Sequence, residues 1–575
     1  MLLETCKSFD IFSNNRHPPK CLCLGLVDDM DTQPTQYEKR EATEDEVENL
    51  RHVVDTVPGV VWVALVAAAA ERFTFYAVTA PWQNYIQNDR GSIAVPGVLG
   101  LGQATATNIS NAFAFFSFLS PLPFAILSDA WLGRYKTLCI SFSLNVCGCL
   151  VLFVTSLPYV TKDSIKIAGL ALSMVFLGLG TGGVRATVSP FIGDQYTVSA
   201  PQLIVTKNGE RLIADRTLTL QYIYNVLYWF TNIAGLSLIA STYLEKAVDF
   251  WASYLLRLCS VWISIPLMLF WQKKFVKLSP QGNVLPQAAK VIACSARERF
   301  RLDAAKPAFQ AEKYGREVEW DDQFVSEMKR GLIACKVMAC FVPFYLCTSQ
   351  ITNNLVSQAG QTRLGGTPND MVQALNAIAC VLLGPVIQKF LYPTLQKHGI
   401  AFGPIARMTS AFVTMSTAMA FTAGLQKLIY MRGPCYDHPL ACPDSKNGSI
   451  PNDISVWAQT PIYILLACAE ILGFATLSEY SYSKAPQGMR SLVQALRQVT
   501  AGIGSAFGIA LSPLAQNPKI LYLYTGLAVV MIVGAPIFWL VFRGYDKIDE
   551  ELNVMGSIQP SNNDHMEETT STVRP

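Results

Sequence analysis

The sequence contains few charged residues and almost no histidine. Asp, Glu, Lys and Arg make up 15% of its 575 residues, whereas a soluble domain usually carries about 25%. Its five histidines are not clustered, and it has neither an HExxH nor a GxSxG motif. These absences argue against a soluble domain and the common hydrolases, so we expect no enzyme activity, no metal ion and no organic cofactor. A net charge of +3 is also too small to indicate a nucleic-acid partner.

The two ends of the sequence lack long apolar runs. Residues 1–55 are polar and mixed in charge, without the apolar core of a signal peptide. We therefore expect a mostly disordered cytoplasmic tail at 1–55 and a second cytoplasmic tail at 544–575. Insertion into a lipid bilayer would then depend on the first apolar run.

Between these tails, long apolar runs dominate the sequence. A helix needs about 20 mostly apolar residues to cross the ~30 Å hydrocarbon core of a bilayer. Twelve runs are long enough and lack the period of two that marks strands; they cover 58–86, 106–128, 136–158, 165–191, 218–241, 249–271, 332–353, 370–392, 402–425, 456–481, 493–514 and 519–542. This pattern predicts an all-α polytopic membrane protein with twelve transmembrane helices in two six-helix bundles, at 56–271 and 331–543, joined by a polar cytoplasmic loop at 272–330.

Basic residues are distributed unevenly between the loops. If the N-terminus is cytoplasmic, the loops on the same side of the membrane hold most of the Lys and Arg, as the positive-inside rule requires. The polar stretch 432–455 then faces outside, where a disulfide between Cys435 and Cys442 is reasonable. The sequon that begins at Asn447 lies in the same stretch and is a candidate glycosylation site. The candidate disulfide and the candidate glycosylation site are both typical of extracellular loops, so together they support this orientation.

Several charged residues interrupt the apolar runs, where a charge at the bilayer centre costs ~2.5–3.5 kcal/mol, and four of them are candidates for a site. Glu71 and Arg72 lie in the first run, Arg185 in the fourth and Glu470 in the tenth. One interpretation is structural, because such residues can pair with one another or extend to the membrane surface. The other is a central cavity with cations on one bundle and Glu470 on the other. Such a cavity would bind a zwitterion, and rocking of the two bundles would alternate its access.

Several short motifs occur in order at matching helix positions. They are ERFTFY at 71–76, SDAWLGRYKT at 128–137, the glycine-rich stretch 180–196, YNVLYWFTNIAGL at 224–236, TNNLVSQAG at 352–360 and KAP at 484–486. Over about residues 45–545, the sequence resembles the fungal branch of the proton-dependent oligopeptide transporter family in the major facilitator superfamily. The resemblance implies the major-facilitator fold and secondary active transport of di- or tripeptides, or of peptide-like solutes, with protons as the coupling ion.

The resemblance also implies roles for the charged residues. Arg72 would contact the peptide carboxylate, or organise the first helix against Arg185. Glu470 matches a helix-ten glutamate that takes the amino terminus of the peptide. Glu71 and Glu470 would be the groups involved in proton coupling. The other positions that match the family's pocket are Tyr76, Asn232, Gln350 and Asn376.

The chain departs from the family pattern at groups that titrate. Ala68 occupies the position of the motif's first acid, and Arg185 that of a lysine. Because arginine cannot lose its proton in a protein, only Glu71 remains as a titrating group in the first bundle, and neighbouring guanidinium groups should keep it charged. We therefore expect proton coupling to be weakened or rerouted, although Glu71 or Glu470 alone could suffice.

The substrate is less well determined than the fold. Phe75 and Phe118 stand where the family has tyrosines, so the pocket should be more apolar and favour hydrophobic or modified peptides. Since a fold does not fix a function, two alternatives stay open. One is transport of another solute, such as nitrate or a secondary metabolite; the other is a nutrient sensor that does not transport. The plasma membrane is the location that the resemblance implies.

Overall fold

The computed structural model describes residues 40–92, 95–198, 200–205, 210–278, 284–298, 301–398, 402–446, 448–484 and 490–556. Within these residues, nine helices are long and apolar enough to cross a membrane: Gly59–Gln87, Gln103–Leu132, Arg134–Ser156, Asp163–Asp194, Leu218–Ala247, Phe250–Phe270, Pro404–Tyr430, Val456–Ser478 and Ile520–Gly544. Three interrupted or less apolar segments occupy the other predicted positions. The chain is thus a mostly helical, multi-pass membrane protein with six segments on each side of the central loop.

The first bundle follows the short helix α1 (Glu44–Asn49). Its segments are segment 1 (α2, Gly59–Thr79, and α3, Trp82–Gln87), segment 2 (α4, Gln103–Leu119, and α5, Pro121–Leu127), segment 3 (α6, Arg134–Ser156), segment 4 (α7, Asp163–Asp194), segment 5 (α8, Arg216–Gly235, and α9, Ser237–Ala247) and segment 6 (α10, Phe250–Phe270). Two clusters of buried apolar residues lie inside this bundle. The bundle therefore has its own core.

The second bundle follows two helices of the central loop, α11 (Val284–Arg297) and α12 (Pro307–Tyr314). Its segments are segment 7 (α13, Asp322–Ala339, α14, Val342–Ser349, and α15, Asn354–Gly360), segment 8 (α16, Ala374–Val386, and α17, Tyr392–Lys397), segment 9 (α18, Pro404–Tyr430), segment 10 (α19, Thr460–Glu470, and α20, Thr476–Lys484), segment 11 (α21, Arg490–Leu511) and segment 12 (α22, Ile520–Gly556). Helix α22 thus continues past 543, where the sequence analysis ended the bundle. One large apolar cluster lies inside this bundle.

A small sheet is present beside the helices, and it includes part of the tail at 1–55 that was predicted to be mostly disordered. Its strands, in the spatial order β1-β3-β4-β2, are β1 (Arg40–Glu41), β2 (His52–Val53), β3 (Gln202–Val205) and β4 (Arg211–Ala214). The tail strands pair with the loop between segments 4 and 5. Strands of two to four residues are too short for a periodic signal, and their partners are far away in the sequence.

Glycines in segment 4 allow its neighbours to approach closely. A Cβ atom on Gly182 would lie 1.8 Å from Ser120 Oγ, and one on Gly183 would lie 2.0 Å from Ser141 Oγ. Segments 2 and 3 therefore pack directly on the backbone of segment 4, as small residues permit between membrane helices. This packing fixes the position of Arg185, which lies two residues further along the chain.

The two bundles are joined by polar side chains on the side predicted to face outside. We call this contact the outer seam. Its hydrogen bonds join Asn84 to Asn369, Gln83 and Gln87 to Ser357, Gln103 and Thr107 to Asn354, Asn108 to Ser512, Asn111 to Asn353, and Lys246 to Gly366 and Thr367. Among the residues that the structure describes, the hydrogen bonds between the bundles all lie on this side. The structure is therefore in a state that is closed on the side predicted to face outside.

Candidate transport site

Glu71 and Arg72 form an ion pair in the middle of segment 1. The Glu71 side chain is 1% exposed, and Arg72 Nε donates to its Oε2 at 2.6 Å. Thr181 Oγ1 in segment 4 donates to the other oxygen at 3.4 Å. Arg72 Nη2 has no hydrogen-bond partner among the described residues. The carboxylate is thus satisfied on both oxygens, while the guanidinium retains a free donor.

Arg185 is held by two aromatic rings. Its guanidinium carbon lies 5.2 Å from the ring centroid of Phe75 and 4.9 Å from that of Phe118, and Arg72 lies 5.4 Å from the same Phe75 ring. Nη1 of Arg185 also donates to Ser117 Oγ at 3.3 Å. Cation–π contacts contribute about 0.5–2 kcal/mol. Phe75, one of the two phenylalanines at tyrosine positions, therefore separates two like charges, and Glu71 pairs with its neighbour Arg72 rather than with Arg185.

Glu470 has only neutral donors around it. Asn376 Nδ2 donates to its Oε2 at 3.1 Å, and Cys380 Sγ lies 3.7 Å from the same oxygen. The salt bridges of the described residues include none to Glu470. A π-turn at Ile471–Ala475 follows it directly, and such turns are frequent at functional sites. This carboxyl is partly accessible, so it can receive a cationic group from a solute.

Tyr76 connects the two charged faces. Its side chain lies within electrostatic range of Arg72 and Arg185 in its own bundle and of Glu470 in the other. Nearby, a Cβ atom on Gly235 would lie 3.6 Å from Ala377 and 3.9 Å from the ring of Tyr76. The cationic face of the first bundle and the acidic face of the second therefore converge on one region.

Two predicted pocket residues have partners of their own. Asn232 Nδ2 donates to the Tyr228 carbonyl, one turn earlier in segment 5, at 2.9 Å. Gln350 is 2% exposed; its Nε2 donates to the Leu346 carbonyl at 3.0 Å, and its Oε1 accepts from Asn354 at 2.7 Å. Because Asn354 also bonds to segment 2, the structure groups Gln350 with the outer seam rather than with the central site.

Three residues of the central region were not singled out from the sequence. Tyr228 is 54% exposed and lies within electrostatic range of Glu470 and Tyr76; its spacing of four from Asn232 already places both on one helix face. Arg497 in segment 11 donates to Ser478 Oγ at 2.5 Å and interacts with Arg185. A cation within an apolar run was its signal in the sequence. The third is Tyr345, which lies within electrostatic range of Arg497.

The outer loop between segments 9 and 10 contains a disulfide. Cys435 and Cys442 are bonded, with their Cα atoms 5.4 Å apart. Asn447 lies outside the described residues, so its glycosylation stays a prediction. The described residues contain no group of three or more His, Cys, Asp or Glu side chains that could hold a metal ion.

The fold and the site define the chain as a membrane transporter with the major-facilitator fold. The crystal structure of the POT family transporter PepTSo superimposes with a TM-score of 0.66 at 17% identity, over 85% of this chain and 99% of that one. Residues 135–527 match the family model PTR2, described as the POT family, so the chain belongs to this family of proton-dependent oligopeptide transporters and is not an enzyme.

Two fungal relatives align over most of the sequence. Peptide transporter PTR_A of Candidozyma auris is 37% identical over 95% of this chain and 90% of the relative. Peptide transporter PTR_C of the same organism is 40% identical over 90% of this chain and 89% of the relative. The resemblance inferred from the motifs is thereby confirmed.

Proposed function

We propose that the chain imports di- and tripeptides, or peptide-like solutes, across the plasma membrane by alternating access. The observation that carries this proposal is the convergence of Arg72, Arg185 and Glu470 beside Tyr76. A free peptide is a zwitterion, and an arginine face opposite a carboxylate face complements its two ends. The relatives named as peptide transporters support the same substrate class.

Binding would use each face differently. The unpartnered Nη2 of Arg72 offers a hydrogen-bond donor to the peptide carboxylate. Glu470, which has an amide and a thiol beside it, would accept the peptide ammonium and gain its first charged partner. Because both faces must be engaged to bury both charges, solutes that lack either end should bind more weakly.

Protons would supply the driving force, but by a route different from the family pattern. Glu71 is occupied by Arg72, and Ala68 provides no acid. Glu470 is then the carboxyl in the central region whose charge a proton or an ammonium group could neutralise. We propose that it is the central proton-coupling group, and that coupling is weaker than in members with the complete motif.

Uptake of a radiolabelled dipeptide in cells that lack peptide transport tests the function. The wild type should accumulate the dipeptide, and Glu470→Gln should lower uptake by about tenfold or more, since a hydrogen bond to a charged group contributes about 1.5–3 kcal/mol. Glu317→Gln, a matched change on the exposed central loop, should leave uptake unchanged. Uptake equal in Glu470→Gln and wild type, at equal protein levels, would contradict the proposal.

A further inference from the structure

Two buried carboxyl groups meet at the outer seam, away from the central site. Glu245 lies near the outer end of segment 5, and Asp370 precedes segment 8 in the other bundle. Asn84 bonds both to Glu245 and to Asn369, the residue before Asp370, and the two carboxyl groups interact with each other. They are 3% and 1% exposed, so water does not effectively screen the repulsion between their charges.

The facing oxygens of this pair are poorly satisfied. Asn84 Nδ2 donates to Glu245 Oε1 at 3.1 Å, and the backbone N–H groups of Asp370 and Met371 lie close to the Asp370 carboxyl. Glu245 Oε2 and both carboxylate oxygens of Asp370 nevertheless make no well-formed hydrogen bond among the described residues. Two ionised carboxylates in contact repel each other, and one shared proton turns the repulsion into a hydrogen bond. One shared proton would therefore satisfy the facing oxygens of the pair.

The surroundings permit a proton to reach this position. Asn84 and Asn369, the residue before Asp370, exchange two hydrogen bonds of 2.8 Å across the seam. Both asparagines also line a cavity of about 260 Å³ on the outer side of the molecule. This cavity reaches Asn84, which contacts Glu245, and Asn369, which precedes Asp370, so only this amide layer lies between the cavity and the carboxyl pair.

The other charged and titratable groups around the pair come from segments 5 and 6. Lys246, next to Glu245, interacts with Asp370 but donates to the carbonyls of Gly366 and Thr367. From segment 6, Arg257 and Tyr254 face Glu245. Arg257 is 0% exposed, and its Nε and Nη1 have no acceptor in the described part of the chain.

We propose that Glu245 and Asp370 form a proton-binding site that holds the outer seam closed while the two carboxyl groups share one proton. The proton comes from the external solution through the outer cavity and returns there when the seam opens. Asp370 then moves away with the second bundle, and the ionised Glu245 is compensated by Arg257. The site thus makes closure depend on external acidity, whichever solute the central site carries.

The direction of the effect follows from the pair itself. Two buried carboxyl groups that face each other repel when both are ionised, so the closed state favours the form that holds one proton. Acid therefore stabilises the closed seam, and rising pH opens it. One proton taken up on closure changes the equilibrium by at most about tenfold per pH unit.

Hydrogen exchange of the full-length protein in lipid nanodiscs, without any solute, tests this site. Peptides covering Asn354–Gly360 and Gln103–Leu119 report on the seam, and rates are corrected for the intrinsic effect of pH. Between about pH 5.5 and about pH 7.5, protection in the wild type should fall several-fold, within the tenfold per unit limit. Peptides from Pro404–Tyr430, inside the second bundle, should not respond.

Variants distinguish a shared proton from a bridging metal cation and from a contact that does not titrate. Glu245→Gln supplies a permanent donor to Asp370, so the seam peptides should stay protected from exchange at both pH values. Glu245→Ala should leave the seam peptides unprotected at both pH values, while the peptides inside the second bundle stay protected. Asp453→Asn, an outer carboxylate that is 63% exposed and bonded to Arg363, should keep the wild-type response. A wild-type pH response in Glu245→Gln would overturn the proposal. Protection of the wild-type seam restored at high pH by sodium or potassium ions would also overturn it, because a metal cation would then bridge the two carboxylates.

Discussion

Glu71 in segment 1 and Glu470 in segment 10 are two carboxylates of the central region that are satisfied in opposite ways. Glu71 has a guanidinium at 2.6 Å and a hydroxyl at 3.4 Å. Glu470 has an amide at 3.1 Å and a thiol at 3.7 Å. A carboxylate with its own cation is part of the framework, whereas one that has only neutral partners can exchange a proton for an ammonium group. The two faces of the site therefore differ in role. The charges of the first bundle stay fixed, whereas the charge of Glu470 in the second bundle can change when it binds a proton or an ammonium group.

The largest effect is expected from removing the fixed partner. In Arg72→Ala, the buried Glu71 carboxylate loses its cation, and breaking such a pair costs about 3–5 kcal/mol. We expect a clearly lower midpoint of thermal unfolding in detergent, together with loss of uptake. In the double variant with Glu71→Ala, much of the stability should return while uptake stays absent.

Glu470→Gln is the matched change on the other face. An amide can replace the carboxyl among neutral donors, so the free energy of unfolding should change by less than about 0.5 kcal/mol. If Arg72→Ala is as stable as Glu470→Gln, the contrast between a fixed and a variable charge is wrong.

A smaller effect is expected from replacing Arg185 of the first bundle by a residue that can titrate. Arg185→Lys keeps the charge near Phe75 and Phe118 but introduces an ammonium that can lose its proton when buried. Accumulation in proteoliposomes should then depend more steeply on an imposed pH gradient than in the wild type, by a factor of about two to five. The wild type with and without the gradient is the reference. A gradient dependence that is already strong in the wild type and is lost in Glu71→Gln would show that Glu71 couples protons after all.

The apolar rings of the first face should affect selectivity modestly. Phe75 and Phe118 contact Arg185 through their rings and offer no hydroxyl to a polar side chain. Dipeptides that contain Leu or Phe should compete with a labelled dipeptide about three- to tenfold better than those rich in Gly or Asp, since one apolar group contributes about 1–3 kcal/mol. Phe118→Tyr should reduce this ratio. Equal inhibition by both kinds of dipeptide would contradict the expectation.

The smallest effect concerns an ion pair that pH can remove, outside the membrane. His52 Nε2 contacts the Val47 carbonyl and Nδ1 contacts Asp215, each at 2.8 Å. The Val47 carbonyl, and then Asp215, raise the pKa of His52 above its usual 6.5. The stabilisation of the small sheet is therefore complete below about pH 6.5 and is lost as pH rises through the raised pKa.

Corrected hydrogen exchange of residues 51–55 and 211–215 should accordingly show protection that weakens from about pH 6.5 to about pH 8.5. In His52→Gln this dependence should vanish. Protection that is independent of pH in the wild type would indicate that the sheet does not need the charged imidazole, unlike Glu71, which needs its arginine.

Sequence and structure agree best for charged residues within apolar runs, because such a residue stands out without any knowledge of its neighbours in the fold. Glu71, Arg72, Arg185 and Glu470 were identified because charges are costly in apolar runs, and the structure places all four in the central region. Arg497 is likewise a charge within an apolar run, and Tyr228 lies one helical turn from Asn232, but neither was predicted to belong to the site. Gln350, in contrast, was assigned to the pocket by its position in segment 7, and only the bonds it makes with Leu346 and Asn354 show that it belongs to the outer seam.

By itself, the sequence determined the class of protein, the number and order of the membrane segments and the residues whose charge must be explained, and it predicted an orientation. Hydropathy and the distribution of basic residues act locally along the chain, so no folded structure is needed to read them. Only the tertiary structure decided that Arg72 rather than Arg185 neutralises Glu71, that residues 40–53 join a sheet, and that Glu245 meets Asp370. These pairings depend on how helices far apart in sequence pack and rotate against one another, and no local pattern records that geometry.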